Sequence, residues 1–175
     1  MNDAIDYYFS SVSPFAWLGH RQLMAIATKH GKEVRLRPVN LGGVWEVSGG
    51  VPLAQRPPVR QRYRLIELQR IALFRGLHIN PKPAHFPTNP ELADRTIIAL
   101  TEAGRSPAAF AFAVGEALWS KDRQIADEAV IADILGECGF NPDAIFKHVK
   151  SEKTAAIREE NTKAAIAADA IGSPC

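Results

Sequence analysis

The sequence predicts an α/β fold: a strand–helix–strand unit, a block of helices inserted after it, and a last helix that returns to the unit. Three observations predict it. First, Ile5–Phe9 and Glu33–Leu41 carry strand patterns, and one long helical stretch of about 14–30 separates them. Strand, long helix and strand make a parallel unit with a right-handed crossover. Second, the periodic segments between 56 and 149 repeat at helical rather than strand spacing. Third, an alanine-rich helical stretch of about 151–171 closes the chain, ended by Gly172.

Each element has its own warrant. Ile5–Phe9 is short, β-branched and aromatic, as a buried strand is. Ser13-Pro14 is a helix start, because serine caps well and proline at the first helical position loses no hydrogen bond. Gly31 is the stop. At 100° per residue Phe15, Leu18, Leu23 and Ile26 share one face of this helix, and Trp17 and Met24 the opposite one. Two stripes predict burial on both sides, between the sheet and a second helical layer. Glu33–Leu41 alternates, with Pro38 marking an edge or an end. Gly42-Gly43 and Ser48-Gly49-Gly50 then bracket Trp45 in what reads as a loop.

Six arginines, at 56, 60, 62, 64, 70 and 75, follow, with Leu65, Leu68, Ile71 and Ala72 as the apolar face. Most of the arginines are therefore expected on the wet side. Residues 80–90 form a proline-rich connector, and helices are expected at about 90–104, 107–120, 126–138 and 142–149. In the last helix Ile157, Ala164, Ala168 and Ile171 share a face.

Composition narrows the function. The chain has 175 residues, 46% of them hydrophobic and 23% charged, as a water-soluble globule has. A net charge of +2 gives no argument for nucleic acid. Asp3 and Asp6 stand where a basic signal region would, and no apolar run reaches a membrane span, so a cytoplasmic protein is expected. Two cysteines, Cys138 and Cys175, make no disulfide framework, and Cys138 reads as a buried helix-end residue. The histidines, at 20, 30, 78, 85 and 148, lack metal-ligand spacing, so no metal is expected. No phosphate-binding glycine loop or nucleophile elbow occurs.

One position carries chemistry. Ser13 lies where a buried strand runs into a helix N-terminus, which is partly positive and presents free N–H groups. From spacing alone it is first a cap. Its second reading is a site residue, since ligands of α/β folds gather at strand carboxyl ends. A hydroxyl there can stabilise a thiolate and lower its pKa, as helix N-termini do.

The stretch Tyr8–Gly19, with Ser13-Pro14-Phe15, resembles the opening of 2-hydroxychromene-2-carboxylate isomerases and the related kappa-class glutathione transferases. Ser48-Gly49-Gly50 resembles that family's Ser-Gly-Asn loop, and Pro58–Tyr63 its Pro-x-Lys-x-x-Tyr helix. Trp119–Ile125 resembles its tryptophan segment, and Gly172-Ser173-Pro174 its cis-proline turn. The resemblance implies a thioredoxin-like fold of the DsbA type. Residues 1–55 would be its N-terminal part, 56–150 the inserted helical domain, and 151–175 the return helix and cis-proline turn.

The resemblance also implies glutathione as cofactor and isomerisation of 2-hydroxychromene-2-carboxylate to trans-o-hydroxybenzylidenepyruvate, in aromatic hydrocarbon breakdown. Ser13 would be the catalytic serine, hydrogen-bonded to the glutathione sulfur. Ser173 and Pro174 would hold the cysteinyl backbone, and Arg60 would meet a carboxylate. Trp45 and Arg56 would contact the aromatic carboxylate substrate, and the protein would be a homodimer. The alternatives are a kappa-class-like glutathione transferase or peroxidase acting on another electrophile, and a truncated, non-catalytic thioredoxin-like binding or dimerisation protein. Two departures stand out: Gly50 replaces the family's asparagine, and the family's closing β-hairpin, glutathione-binding turn and last helix have no counterpart before Cys175. A thioredoxin unit lacking its C-terminal part, with weak glutathione binding, is therefore expected. The redox Cys-x-x-Cys of DsbA-type proteins is here Ser13-Pro-Phe-Ala16, which excludes dithiol exchange at that position.

Overall fold

A computed structural model describes residues 4–175. Strand β1, Ala4–Phe9, pairs in parallel with β2, Glu33–Pro38, with Ala4 opposite Glu33 and Phe9 opposite Pro38. Helix α1, Pro14–Lys29, makes the crossover. The Val39 N–H donates to the Phe9 carbonyl at 2.8 Å and carries the pairing one step past Pro38. On the other flank of β1, the Tyr8 and Cys175 backbones exchange both hydrogen bonds at 2.9 Å. That reciprocal pair is the antiparallel pattern, and it holds the Gly172–Cys175 segment beside β1.

The expected burial of α1 on two sides is observed. The Tyr7 hydroxyl of β1 donates to the Ala16 carbonyl at 3.3 Å. On the other side Trp17 lies against α5, Ala108–Trp119, with its ring 6.1 Å from that of Phe112. A Cβ on Gly115 would come within 2.6 Å of the Trp17 indole, so only glycine lets the two helices approach this closely. Ile26 departs from expectation: it is 47% exposed, because the last turns of α1 emerge into solvent.

Trp45 is not in a loop. Leu41–Ser48 forms helix α2 despite Gly42-Gly43, ended by Gly49 in the left-handed region at φ 75°. Tertiary contacts override the weak helix propensity of the glycines. The Asn40 N–H donates to Thr162 Oγ1 at 2.9 Å, and Val44 is buried.

The helical block comprises α3, Pro58–Arg75; α4, Glu91–Glu102; α5; α6, Glu128–Glu137; and α7, Pro142–Val149. Phe110, Leu118, Trp119, Ile97, Leu100, Ile131 and Leu135 form a core continuous with Tyr7, Phe9 and Leu36 of the sheet. Burying each such side chain contributes about 1.5–3 kcal/mol.

Helix α8, Glu152–Ala167, returns to the sheet and ends earlier than the sequence suggests. Its expected apolar face does not seat it, and Ile171 is 76% exposed. The buried positions are Thr154, Asn161, Thr162 and Ala165. Asn161 Nδ2 donates to the Pro38 carbonyl at 3.2 Å, and Arg158 donates to the Val39 carbonyl at 3.3 Å. The seat is polar because α8 binds the open backbone groups at the end of β2. No helix among the described residues is long and apolar enough to cross a membrane.

Candidate active site

The Ser10–Ser13 loop connects β1 to α1. Ser13 is the N-cap of α1, in extended conformation, and its hydroxyl accepts from the Ala16 N–H at 3.3 Å. The same hydroxyl donates to the Ser173 carbonyl at 3.1 Å. Ser173 Oγ in turn accepts from the Ser10 N–H at 2.9 Å. Two hydrogen bonds thus join the β1–α1 loop to the turn at Ser173-Pro174, whose peptide bond is cis. Pro14 has no N–H and the Ala16 N–H is taken by the cap, and the Phe15 N–H of the first turn has no acceptor among the described residues. With the helix dipole this makes a small positive corner beside Ser13.

The corner opens into a cleft of about 350 Å³ lined by Ser13, Trp45, Arg56, Arg64, Ser173 and Pro174. Of the sequence-predicted residues, Ser13, Trp45, Arg56, Ser173 and Pro174 therefore meet in one place. The Arg56 guanidinium lies 5.9 Å from the Trp45 ring, and its Nε donates to the Val51 carbonyl at 2.7 Å. Trp45 packs on Gly50, where a Cβ would stand 2.0 Å from the indole. The Ser48 hydroxyl donates to the Ile171 carbonyl at 3.3 Å and ties α2 to the Ser173 turn.

Arg60 is not in this cleft. It is exposed and lines an outer groove with Phe15, Val59, Tyr63 and Glu67, which the cleft meets at Phe15, Arg56 and Arg64. Val12, Leu41, Trp45, Leu53 and Phe86 line both the cleft and a wider, mainly apolar hollow of about 840 Å³. Concave, apolar walls with a few converging polar groups suit a small organic ligand.

Two functional candidates escaped the sequence reading. Arg64 is 9% exposed, an exception among arginines of which most are expected on the wet side. It stands one helical turn before buried Leu68 and two before buried Ala72, and that spacing is the signal that marks it. Its guanidinium lies 5.6 Å from the rings of both Phe86 and Trp119. Burial holds it below the ordinary arginine value, Arg56 adds repulsion, and Glu67 opposes both.

Asp94 is the second. Its side chain is fully buried on α4. Oδ1 accepts from the Ser11 N–H at 2.9 Å and the Ser11 hydroxyl at 2.7 Å. Oδ2 accepts from Arg158 Nε at 3.1 Å and from its Nη2 at 3.0 Å. Burial pushes the Asp94 carboxyl up, and Arg158, then Ser11, pulls it down. Four donors on two oxygens match the ionised form, which only accepts. The node fixes the loop that carries Ser13 against α4 and α8. Sequence alone gave no signal for it.

Comparison with known proteins bears on the fold and the family. Residues 4–175 match the model of the DSBA-like thioredoxin domain. The 2-hydroxychromene-2-carboxylate isomerase of Pseudomonas putida is 29% identical over 97% of this chain and 82% of its own length. The protein of that name from Sphingobium xenophagum is 25% identical over 86% of this chain and 76% of its own length. A solved 2-hydroxychromene-2-carboxylate isomerase superposes with a TM-score of 0.82 at 25% identity, covering 98% of this chain and 83% of that one. The cytosolic disulfide reductase DsbM of Pseudomonas aeruginosa, solved with GSH, shares the fold at a TM-score of 0.73 and 17% identity, over 98% of this chain and 83% of that one. The chain thus belongs to the DSBA-like thioredoxin domain family.

Proposed function

We propose that the protein is a glutathione-dependent isomerase that converts 2-hydroxychromene-2-carboxylate to trans-o-hydroxybenzylidenepyruvate. The observation that carries the reading is the meeting of the Ser13 hydroxyl with the Ser173-Pro174 turn at the positive end of α1. A thiol entering there would find a hydroxyl donor, the open Phe15 N–H and the helix dipole, all of which favour the thiolate. Glutathione, when bound, would supply a thiolate that adds reversibly to the conjugated ring system and leaves once the opened chain has rotated.

The chain's own residues then have the following tasks. The Ser13 hydroxyl turns from the Ser173 carbonyl to the sulfur and stabilises its negative charge. The released carbonyl of Ser173, with its N–H, pairs with the extended cysteinyl backbone as a strand would. Trp45 covers the aromatic ring, and the apolar hollow beyond it excludes water from the reacting atoms. Arg56, held by the Val51 carbonyl, turns its remaining N–H groups to the substrate carboxylate. Arg60, on the outer groove, meets a carboxylate projecting out of the cleft. The reaction is neutral overall, because the thiolate that enters is the one that leaves.

The test is consumption of 2-hydroxychromene-2-carboxylate with and without glutathione, followed by absorbance. Turnover only with glutathione is expected. Equal rates with and without the thiol, or no turnover at all, would refute the reading. Conjugation of chlorodinitrobenzene in the absence of isomerisation would reassign the site to transferase chemistry.

A further inference from the structure

Arg64, the sole arginine buried in α3, has no acceptor among the described residues. Among the described residues no carboxylate pairs with it and no oxygen accepts a hydrogen bond from it, and Glu67 bears on it only at longer range. Its surroundings are the faces of Phe86 and Trp119, and Trp119 is fully buried. A guanidinium has five N–H donors and remains charged in proteins. Burying such a group without an anion is costly, and structures keep unpaired buried charges where function requires them. Cation–π attraction to two rings offsets part of the cost but satisfies none of the N–H groups.

The position of Arg64 gives the donors a use. The side chain lines the Ser13 cleft and also the outer groove that contains Arg60. Arg56 lines both as well, so two guanidinium groups bracket the passage between them. Their charges raise the local potential, and repulsion between them is relieved when an anion enters. Phe86 and Trp119 flank the Arg64 guanidinium, and its planar fork can make two parallel hydrogen bonds to an acid group.

We propose that Arg64 is the carboxylate anchor of this site: its fork binds a carboxylate of the ligand in the Ser13 cleft, and Arg56 closes over the same charge. The proposal rests on the reading of the cleft as a ligand site for glutathione and an aromatic acid. Both ligands bring carboxylates, and the chemistry recognised is the same.

The test uses Arg64→Met and Arg64→Lys in the full-length protein. Binding is measured by calorimetry with three probes: glutathione, trans-cinnamate, and the uncharged methyl ester of trans-cinnamate. Arg64→Met is expected to lose roughly tenfold or more in affinity for one carboxylate probe while binding the ester unchanged. The probe that is affected identifies the source of the carboxylate. Arg64→Lys is expected to restore only part of the loss, because an ammonium lacks the fork. The melting temperature separates this from a structural role: removing an unpaired buried charge should leave it unchanged or raise it. Equal affinities of wild type and Arg64→Met for both acids would overturn the proposal, as would a loss that extends to the ester, or a wild type that binds neither acid. A selective loss in a protein that does not isomerise hydroxychromene carboxylate would support the anchor and refute the isomerase reading. Isomerisation that Arg64→Met leaves intact, with both acids bound equally, would do the reverse.

Discussion

The Ser13 hydroxyl donates to the Ser173 carbonyl at 3.1 Å, across 160 residues of chain. This bond closes the β1–α1 loop onto the cis-proline turn, and the proposed reaction requires the same hydrogen to turn to the sulfur of a thiolate beside α1. Ser13→Ala is expected to cost about 1 kcal/mol of stability through the lost cap. It should also raise the thiol pKa of bound glutathione, which a thiolate absorbance titration measures. Turnover should fall in proportion to the thiolate fraction. An identical titration in the variant would remove Ser13 from the chemistry and leave it as a cap.

Gly50 stands where the resemblance implies asparagine, and Trp45 supplies the reason. A Cβ at position 50 would lie 2.0 Å from the indole Cδ1 and 2.4 Å from Cγ, so any side chain must displace Trp45. Gly50→Asn is expected to swing the indole out of the cleft and separate it from Arg56. Trp17 and Trp119 are buried, so Trp45 should dominate fluorescence quenching by acrylamide. A larger quenchable fraction in Gly50→Asn, with a raised KM for the aromatic acid, is the expected result. Unchanged quenching would mean that the neighbouring backbone accommodates the side chain instead.

These two sites differ in how far the sequence discloses them. Ser13-Pro14 is legible because a cap is local: residue types alone set it. The meeting with Ser173 is not local, and only the resemblance suggested it. Helix α2 was hidden because Gly42-Gly43 reads as a break, whereas Val44 burial and the Asn40–Thr162 bond hold the helix from outside. The seat of α8 was hidden because it is polar, while hydrophobic periodicity reports only apolar faces. Arg64 was half legible: its spacing from Leu68 puts it on the buried face, but nothing local says that a charge is tolerated there.

Asp94 connects stability to the site. Asp94→Asn removes the carboxylate from Arg158, whose side chain is 15% exposed, and breaks the acceptor set of Ser11. A loss of about 3–5 kcal/mol is expected, the usual cost of stranding one partner of a buried pair. The double variant Asp94→Leu with Arg158→Leu should recover much of that stability, read as the melting temperature. It should not recover turnover, since Ser11 still lacks its acceptor and the Ser10–Ser13 loop is no longer fixed. If turnover returned along with stability, Asp94 would have no part in positioning Ser13.

His20 bears on stability on the acid side of neutrality. It is 5% exposed, 6.1 Å from the Phe112 ring, on the helix that begins at Ser13. Burial lowers its pKa from the ordinary 6.5, a hydrogen bond with the Ala108 backbone opposes this, and Arg21 adds to it. Below that ordinary value the unfolded chain takes up a proton that the folded chain still refuses. The unfolded state therefore binds more protons in this window, and stability falls as pH falls through it. Above the window His20 is neutral in both states and contributes no slope. His20→Phe keeps an aromatic ring in the space and removes the titration, so the melting temperature of the variant should decline less than that of wild type as pH is lowered below 6.5. Parallel declines in the two proteins would assign the acid sensitivity to other groups.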